Sequence, residues 1–271
     1  MGAAEVPQID AAGSDLNERR ERIKALVLRD GYARIDELTR SMGVSMMTVH
    51  RDLDALAHQG YLTKIRGGAT ANPSALLQSR VTERSAAMQT QKASIAARAA
   101  ELLSPGQTVF LDDSTTAMTL LPHLSGVLPI TVATNFLPII NQLAGVTGIE
   151  LIVLGGQYNP VAEACFGGRI TDVIDHLHAD VAFMSTTGVT AGSCYHRSEI
   201  TITSRAAFMR NSSRSVLLVD HAKFGRPATY RLCGLADFDL VITDSGVDPE
   251  TVEELRAAGI DIEIAADVSH D

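Results

Sequence analysis

A run of acidic and hydroxyl side chains at 112–116 has the composition of an anion-binding loop. Asp112 and Asp113 are followed by Ser114, Thr115 and Thr116, after one apolar segment and before the next. Hydroxyls and unpaired backbone amides at the beginning of a helix bind anions, phosphate in particular. The same residue types also cap helices that bind no ligand. The run therefore predicts either a phosphate cradle or an ordinary helix cap.

Polar residues follow the other apolar segments of the C-terminal part as well. They are Thr134 and Asn135, Gly155 and Gly156, Ser185–Gly188, Asp220–Gly225 with Lys223, and Asp244. Each group alone is ordinary turn chemistry. If the segments are neighbouring strands, Asp and Asn oxygens can accept hydrogen bonds from sugar hydroxyls, and Lys223 can hold a phosphate.

A second candidate surface lies between Met42 and Gly60. Ser45 is a typical helix N-cap and Gly60 a typical helix end. One face of the predicted helix carries Val49, Leu53, Leu56 and Ala57, and the opposite face carries Met47, His50, Arg51, Asp54 and His58. Amphipathic surface helices are common, so this helix alone leaves DNA reading and plain solvation open.

The flanking segments favour DNA binding. Apolar periodicity predicts a helix over 17–30 and a shorter one over 35–42, which with the helix after Ser45 makes a helix-turn-helix. Alternating residues before a Gly67-Gly68 turn predict a two-stranded wing with Lys64 and Arg66 near its tip.

The charge distribution agrees with this interpretation. The chain of 271 residues has a formal net charge of −9, yet residues 17–70 contain ten Lys and Arg against seven Asp and Glu. Residues 71–271 contain 13 against 22. DNA is a polyanion, so it would be repelled everywhere except at the basic segment.

From Lys92 onward, helical patterns alternate with short apolar runs. The predicted strands are 108–111, 130–133, 151–154, 181–184, 215–219, 240–243 and 262–265, and the predicted helices between them are 116–124, 136–144, 168–177, 200–210 and 249–258. Such strands are typical of a mostly parallel α/β sheet covered on both faces. Ligands bind at the carboxyl ends of strands in these sheets, where the polar groups follow.

These patterns set the expected boundaries. We predict a disordered leader at 1–16, a winged helix-turn-helix domain at 17–70, a linker at 71–91 and an α/β effector-binding domain at 92–271.

Other classes of protein are disfavoured. Cys165, Cys194 and Cys233 are far apart in sequence, and the histidines lack metal-ligand spacing, so we expect no disulfide framework, no metal and no cofactor. No apolar run reaches about 18 residues, and no basic-then-apolar signal begins the chain. We therefore expect a cytoplasmic protein with no membrane partner.

The run at 37–69, E-L-T-R-S-M-G-V-S-M-M-T-V-H-R-D-L-D-A-L-A-H-Q-G-Y-L-T-K-I-R-G-G-A, resembles the N-terminal winged helix of DeoR-family bacterial transcriptional repressors. The departure is His50, where the family usually has Arg, which removes one permanent positive charge from the reading face. The resemblance implies DNA contacts from Ser45, Met46, Met47, Thr48, His50, Arg51, Lys64 and Arg66.

The resemblance continues into the C-terminal part. Its motifs are K-x-x-I-A at 92–96, L-D-D-S-T-T at 111–116, Thr134-Asn135, Gly155-Gly156, D-V-A-F at 180–183 and D-x-x-K-F-G at 220–225. The effector domain of the family is similar to ribose-phosphate isomerase, which implies that fold and a phosphorylated sugar ligand. Ser114 replaces the usual Gly of the phosphate loop, and its Cβ would narrow the cradle.

The implied effector-binding residues are Asp112, Asp113, Ser114, Thr115, Thr116, Thr134, Asn135, Gly155, Gly156, Glu199, Asp220 and Lys223. Glu199 fits a ligand contact and a helix cap equally well.

Three functions fit these observations. The first is a regulator, most simply a repressor of a sugar or polyol operon, that a phosphorylated sugar releases from operator DNA. The second is a sugar-phosphate isomerase-like enzyme with Glu199, Asp112 or Asp220 as base and Lys223 as electrophile. The third is a DNA-binding scaffold without an effector. A catalyst gains nothing from a DNA reader, so the first is predicted.

A single winged helix buries little DNA surface, so we expect a homo-oligomer, a dimer or tetramer.

Overall fold

The structure is a computed structural model that describes residues 11–30, 32–59, 61–71, 81–160 and 162–267. The chain divides into two compact units between Arg80 and Val81. The predicted helix end at Gly60, most of the predicted leader and part of the predicted linker lie outside the described residues.

The N-terminal unit is a winged helix-turn-helix. Its described elements are helices α1 (Ala11–Asp30), α2 (Ile35–Met42) and α3 (Met46–His58) and strands β1 (Tyr32–Arg34), β2 (Leu62–Ile65) and β3 (Gly68–Ala71). The antiparallel sheet has the order β1-β3-β2. Two predictions were therefore wrong in extent: α1 begins at Ala11 instead of Asn17, and the wing has a third strand.

Apolar side chains from all three helices form the core of this unit. Ile23, Leu38, Val49 and Leu53 are buried together, as the helical periodicity predicted. Gly43 joins α2 to α3 with φ = 66°, a conformation that favours a residue without a Cβ. The short turn at Gly43 therefore sets how α3 follows α2.

A buried ion cluster ties α3 to α1. Asp52 is 1% exposed. Its Oδ2 atom lies 2.7 Å from Nε of Arg19, and its Oδ1 atom lies 2.9 Å from Nε of Arg20. An aspartate on the inner side of a helix is stable when its charge is paired. The two arginines are partly exposed, so they remain solvated while they neutralise Asp52.

The C-terminal unit is built on a seven-stranded parallel sheet with the order β15-β14-β12-β9-β4-β5-β6. Its strands are β4 (Thr108–Leu111), β5 (Ile130–Thr134), β6 (Ile149–Val153), β9 (Val181–Met184), β12 (Ser215–Leu218), β14 (Leu240–Asp244) and β15 (Ile262–Ala265). The helices are α4 (Gln89–Ala100), α5 (Leu137–Leu143), α6 (Gly168–Ile174), α7 (Glu199–Arg210) and α8 (Pro249–Ala257). The predicted mixed α/β fold with a parallel sheet is confirmed.

Both faces of the sheet are covered, which explains the unbroken apolar strands. In β4, Val109 and Leu111 pack in one core and Phe110 packs in the other. Successive side chains of a strand point to opposite faces, so a strand buried on both sides favours apolar residues at every position along its middle.

Several local predictions differ from the structure in detail. The helix predicted at 116–124 is found as a 3₁₀ helix over Ala117–Val127, and Pro122 inside it lacks the N–H that an α-helix would use. The strand expected at 151–154 lies at 149–153. Short antiparallel strands were not predicted: β7 (Gln157–Asn159) with β8 (Ala164–Phe166), and β10 (Gly188–Thr190) with β11 (Ser193–His196) and β13 (Tyr230–Gly234).

No helix within the described ranges has both the length and the apolar character needed to cross a membrane. All three cysteines are free thiols, and Cys194 lies directly opposite Cys233 on neighbouring strands.

Replacing Asp52 tests the ion cluster that holds α3. We expect Asp52→Asn to lower the free energy of unfolding of the N-terminal unit by about 2 kcal/mol, because the carboxylate charge is lost and one of the two arginines then faces an amide NH₂ group that cannot accept its hydrogen bond. Asp54 lies on the exposed side of the same helix, so Asp54→Asn should change stability by less than about 0.5 kcal/mol. Denaturant unfolding followed by circular dichroism measures both. Equal effects from the two variants would contradict the structural role of Asp52.

Candidate functional site

The first turn of α3 is closed by a side-chain cap. The Oγ atom of Ser45 accepts a hydrogen bond from the backbone N–H of Thr48 at 3.2 Å, and the two hydroxyls are 2.9 Å apart. The predicted N-cap is confirmed. Because these hydroxyls also bond to each other, they hold the start of the helix in place.

The outer face of α3 presents apolar and cationic groups side by side. Met46 and Met47 are 55% and 67% exposed, Arg51 is exposed and His50 is half-buried. The opposite residues Val49 and Leu53 are buried. The helix therefore has the orientation expected of a recognition helix, with its proposed reading residues toward solvent.

The wing contacts the recognition helix through an ion pair. Nζ of Lys64 lies 2.6 Å from Oδ1 of Asp54, so the positive charge of Lys64 is shared with α3. Arg66, at the turn of the wing, is exposed. It makes no ion pair with any residue in the part of the chain that the structure describes.

In the C-terminal unit, the predicted polar groups converge at the carboxyl ends of β4, β5, β9 and β12. Buried side chains at these ends are Asp112, Asp113, Ser114, Thr115, Thr116, Thr134, Asn135, Ser185, Thr186 and Asp220. The strands are neighbours in the order β12-β9-β4-β5. One edge of the sheet therefore collects the cluster that the strand-end rule predicted.

Arg205 of α7 lies at the centre of this cluster and is 2% exposed. Its Nη1 donates to the carbonyl of Ser185 at 2.6 Å, and its Nη2 donates to Oδ1 of Asp113 at 3.2 Å. Its Nε lies 2.9 Å from Oδ2 of Asp112, an ion pair without hydrogen-bond geometry. Burial disfavours the charge of Arg205, yet the two carboxylates outweigh it and raise the pKa of Arg205.

Asp112 is fully occupied by the protein. Its two oxygens accept hydrogen bonds from the backbone N–H groups of Ser114 at 3.1 Å and Ser185 at 3.0 Å. Burial raises the pKa of Asp112 to about 6, against the attraction of Arg205. These bonds hold the ends of β4 and β9 together and shape the loop that follows. A direct contact of Asp112 with a ligand stays a prediction.

Ser114 closes the loop with its own side chain. Its Oγ atom accepts a hydrogen bond from the backbone N–H of Ala117 at 3.0 Å. The hydroxyl therefore caps the 3₁₀ helix at the position where the resemblance leads one to expect Gly.

Lys92 of α4, like Arg205, belongs to this cluster but was not selected as a site residue in the sequence analysis. It is 4% exposed, and its Nζ donates to Oγ1 of Thr115 at 3.2 Å and to the carbonyl of Arg84. Burial lowers the pKa of Lys92 to about 8, against the attraction of Asp220. The signal was available: Lys92 precedes Ile95, Ala96 and Ala99 on the buried face of one helix.

Two buried acceptors of this cluster lack a partner within the described residues. Oδ1 of Asn135 and Oδ1 of Asp220 have no hydrogen-bond donor there. Nδ2 of Asn135 donates to the carbonyl of Cys165 at 2.9 Å, which fixes the direction of the free oxygen. Such atoms are costly unless a donor reaches them. Lys223 lies three residues after Asp220. Burial lowers the pKa of Lys223, and the attraction of the Asp220 carboxylate opposes this effect.

The remaining candidates lie around this cluster. Oγ1 of Thr134 accepts a hydrogen bond from the backbone N–H of Phe136 at 3.1 Å. This bond stabilises the turn between β5 and α5. Glu199 is the first residue of α7 and is exposed. A carboxylate there suits the helix dipole, and the choice between cap and ligand contact stays open.

The two glycines at 155–156 have different surroundings. A Cβ on Gly156 would lie 2.5 Å from the carbonyl oxygen of Phe166, whereas a Cβ on Gly155 would meet nothing within 4 Å. Gly156 thus lets the chain's own strand β8 approach.

Among the described residues, no group of three or more His, Cys, Asp or Glu could hold a metal ion.

Comparison with known proteins identifies both units. Residues 19–75 match the DeoR-like helix-turn-helix domain, and residues 87–245 match the DeoR C terminal sensor domain. The chain belongs to the DeoR family. It is a transcriptional regulator with a DNA-binding unit and a sensor unit.

Curated relatives of this DeoR-family regulator match along nearly their whole length. An uncharacterized HTH-type transcriptional regulator, YgbI, of Escherichia coli K12 is 32% identical over 86% of this chain and 91% of its own. The L-fucose operon activator of Haemophilus influenzae is 30% identical, over 88% and 96%. The glycerol-3-phosphate regulon repressor of Escherichia coli K12 is 29% identical, over 91% and 98%.

Solved structures similar to the regulator include ribose 5-phosphate isomerase from Plasmodium falciparum, at 13% identity and a TM-score of 0.38 over 51% of this chain and 53% of that one.

The two glycines provide a matched test of the site's backbone. We expect Gly156→Ala to lower the free energy of unfolding of the C-terminal unit by about 1–3 kcal/mol, because its Cβ would collide with a backbone oxygen. Gly155→Ala should change it by less than about 0.5 kcal/mol. Thermal and denaturant unfolding of both variants measure this difference. If both variants keep full stability, the close approach to β8 is not a constraint.

Proposed function

We propose that this regulator is a repressor of a sugar or polyol operon, that operator DNA binds to α3 and the wing, and that a phosphorylated sugar bound at the carboxyl edge of the large sheet relieves repression. The observation that carries the sensor part is Lys92, a buried cation held against the hydroxyl of Thr115.

The charge of the cluster favours an anionic ligand. Three carboxylates lie close enough to four cations to oppose the lowering of the cations' pKa values by burial: Asp112, Asp113 and Asp220 act on Arg84, Lys92, Arg205 and Lys223. Arg205 is neutralised by two aspartates. The positive charge that remains is therefore located near Lys92. A phosphate group bound there would offset the cost of burying the Lys92 ammonium group.

The free acceptors favour a ligand that also carries hydroxyl groups. Oδ1 of Asp220 and Oδ1 of Asn135 are buried, and a polyol or sugar hydroxyl would donate to them. A bare phosphate ion carries only one or two O–H groups near neutral pH, so it offers these acceptors fewer donors than a polyol does. This combination supports a phosphorylated sugar or polyol over phosphate alone.

The proposed ligand contacts follow from this arrangement. Direct contacts are Lys92, Thr115, Thr116, Asn135, Asp220 and Lys223; Asp112, Asp113, Ser114 and Thr134 shape the loops; Gly155, Gly156 and Glu199 line the approach.

On the DNA side, we assign base contacts to Met46, Met47, His50 and Arg51, and phosphate contacts to Ser45, Thr48, Lys64 and Arg66. One winged helix reads one half-site, so the working form is a dimer or tetramer on double-stranded operator DNA in the cytoplasm. Sedimentation as a monomer at the concentrations that bind DNA would contradict this.

Relief of repression requires the ligand to bind the DNA-free form more tightly, and the coupling is reciprocal. Operator DNA should therefore weaken ligand binding by the same factor. A panel of phosphorylated sugars and polyols tests the isomerase-like alternative, and we expect the protein to turn over none of them. A scaffold without an effector would show no thermal shift with any compound.

The pH dependence of ligand binding tests Lys92. Its pKa of about 8 in the free protein rises when a phosphate binds, so binding takes up a proton above pH 8. We expect affinity for a phosphorylated sugar to fall about tenfold between pH 7 and pH 9. The stability of the ligand-free unit should change in the opposite direction and rise over the same range, because the unfolded chain retains the proton longer.

Titration calorimetry on Lys92→Gln should give weaker binding and a smaller pH slope, and any slope that remains is assigned to Lys223, whose pKa burial also lowers. Lys24→Gln, in the other unit, should retain the wild-type slope. The second ionisation of a phosphate ester, near pH 6, is complete by pH 7 and adds nothing to it. An unchanged slope in Lys92→Gln would remove Lys92 from the site.

The salt dependence of DNA binding separates the two wing cations. Arg66→Ala should lower the slope of log K against log salt by about one unit, because one phosphate contact is lost. Lys64→Ala should lower it by less, because Lys64 shares its charge with Asp54 in the free protein. Fluorescence anisotropy from low to moderate salt measures both slopes, and an effect of Lys64→Ala as large as that of Arg66→Ala would show that DNA breaks the ion pair.

A further inference from the structure

Apolar exposure in the described residues of the DNA-binding unit is concentrated at the start of the recognition helix. The large apolar side chains that remain exposed are Tyr32, Met46, Met47 and Ile65, and two of them are adjacent in the first turn of α3. In the same turn, Thr48 is half-buried and Val49 is buried. The methionines are therefore the side chains that the first turn offers to a partner.

Folding of the unit does not account for these methionines. The core contains Val49, Leu53 and Leu56 from α3, and Met42 packs against its edge, but neither Met46 nor Met47 belongs to it. The turn also lacks the acidic residues that usually favour a helix N-terminus. Acidic side chains would repel DNA phosphates at this position, and neutral thioethers do not.

The chemistry of a thioether selects among the base edges of the major groove. Guanine, adenine and cytosine present hydrogen-bond donors and acceptors there, whereas thymine adds a C5-methyl group. A methionine side chain donates no hydrogen bond, and it adapts its shape to apolar surfaces. Its best partner in the groove is therefore the thymine methyl.

We propose that Met46 and Met47 read thymine C5-methyl groups in each operator half-site. This inference rests on the DNA contact assigned above to the N-terminal part of α3. Each methionine has a polar residue four positions later on the same side of the helix, His50 after Met46 and Arg51 after Met47. The half-site then combines methyl contacts from the first turn with hydrogen bonds from the second, and a guanine is the base best suited to Arg51.

The experiment compares duplexes that differ only in the methyl group. A duplex is selected from a random library by the full chain and then made with thymine or with deoxyuracil at the enriched positions, since uracil pairs in the same way but lacks the C5-methyl. We expect thymine to be enriched in the half-site, and the dissociation constant to rise about fourfold for each contacted methyl removed, which corresponds to the transfer free energy of one methyl group.

Variants assign the effect to the two side chains. The double variant Met46→Ala, Met47→Ala should bind the thymine duplex more weakly and should no longer distinguish it from the uracil duplex. Ile65→Ala removes an exposed apolar side chain from the wing instead and should keep the full preference for thymine. Thermal unfolding should be unchanged in both variants, because none of these residues is in the core.

Three results would overturn the proposal: a selected half-site without thymine, equal affinity of the wild-type chain for both duplexes, or a retained thymine preference in the double variant. If the full chain enriches no duplex from the library, the proposed DNA contact of α3 is overturned as well. That outcome separates failure of DNA binding from failure of the thymine contact alone.

Discussion

Burial of the Arg205 guanidinium is the interaction on which the sensor unit depends. A cation that is 2% exposed must find anions within the fold, and it finds Asp112 and Asp113 at the end of β4. The same guanidinium donates to the carbonyl of Ser185, after β9. One side chain therefore joins α7 to two adjacent strand ends and holds the first residues of the loop at 112–116.

The neutralised core at Arg205 changes the role of the groups around it. Because the two aspartates are committed to the arginine, they do not cancel the charge of Lys92, which remains against Thr115. The unsatisfied oxygens of Asn135 and Asp220 follow β5 and β12, on the same edge of the sheet with β9 and β4 between them. The ligand proposed above, a phosphate ester that carries hydroxyls, would supply an anion for Lys92 and donors for these acceptors, whereas a purely apolar ligand would supply neither.

The DNA-binding unit also contains a buried ion cluster. Asp52, clamped by Arg19 and Arg20, fixes the inner side of α3 with charge. The outer side can then carry residues that contribute nothing to folding. Both units thus use a buried ion cluster to position a surface whose own residues are free to serve recognition.

Patterns along the sequence were sufficient for elements whose burial has a simple period. The bounds of α2 and of the strands at 108–111, 181–184 and 262–265 were predicted as they are found, because continuous or periodic apolar residues report directly on two-sided or one-sided burial. Family motifs and the basic segment at 17–70 identified the kind of protein. The short strands at 157–159 and 164–166 were missed, since their pairing depends on the fold around them.

By itself, then, the sequence determined the order of elements, the parallel sheet, the helix-turn-helix and the convergence of polar strand ends. Only the tertiary structure decided which of those polar groups are committed within the protein, as Asp112 is, and which remain available, as Asp220 does. The reason is that a residue type states what a side chain can bind, whereas its partner is a residue distant in the chain, such as Arg205 for Asp113. That pairing exists only once the chain has folded.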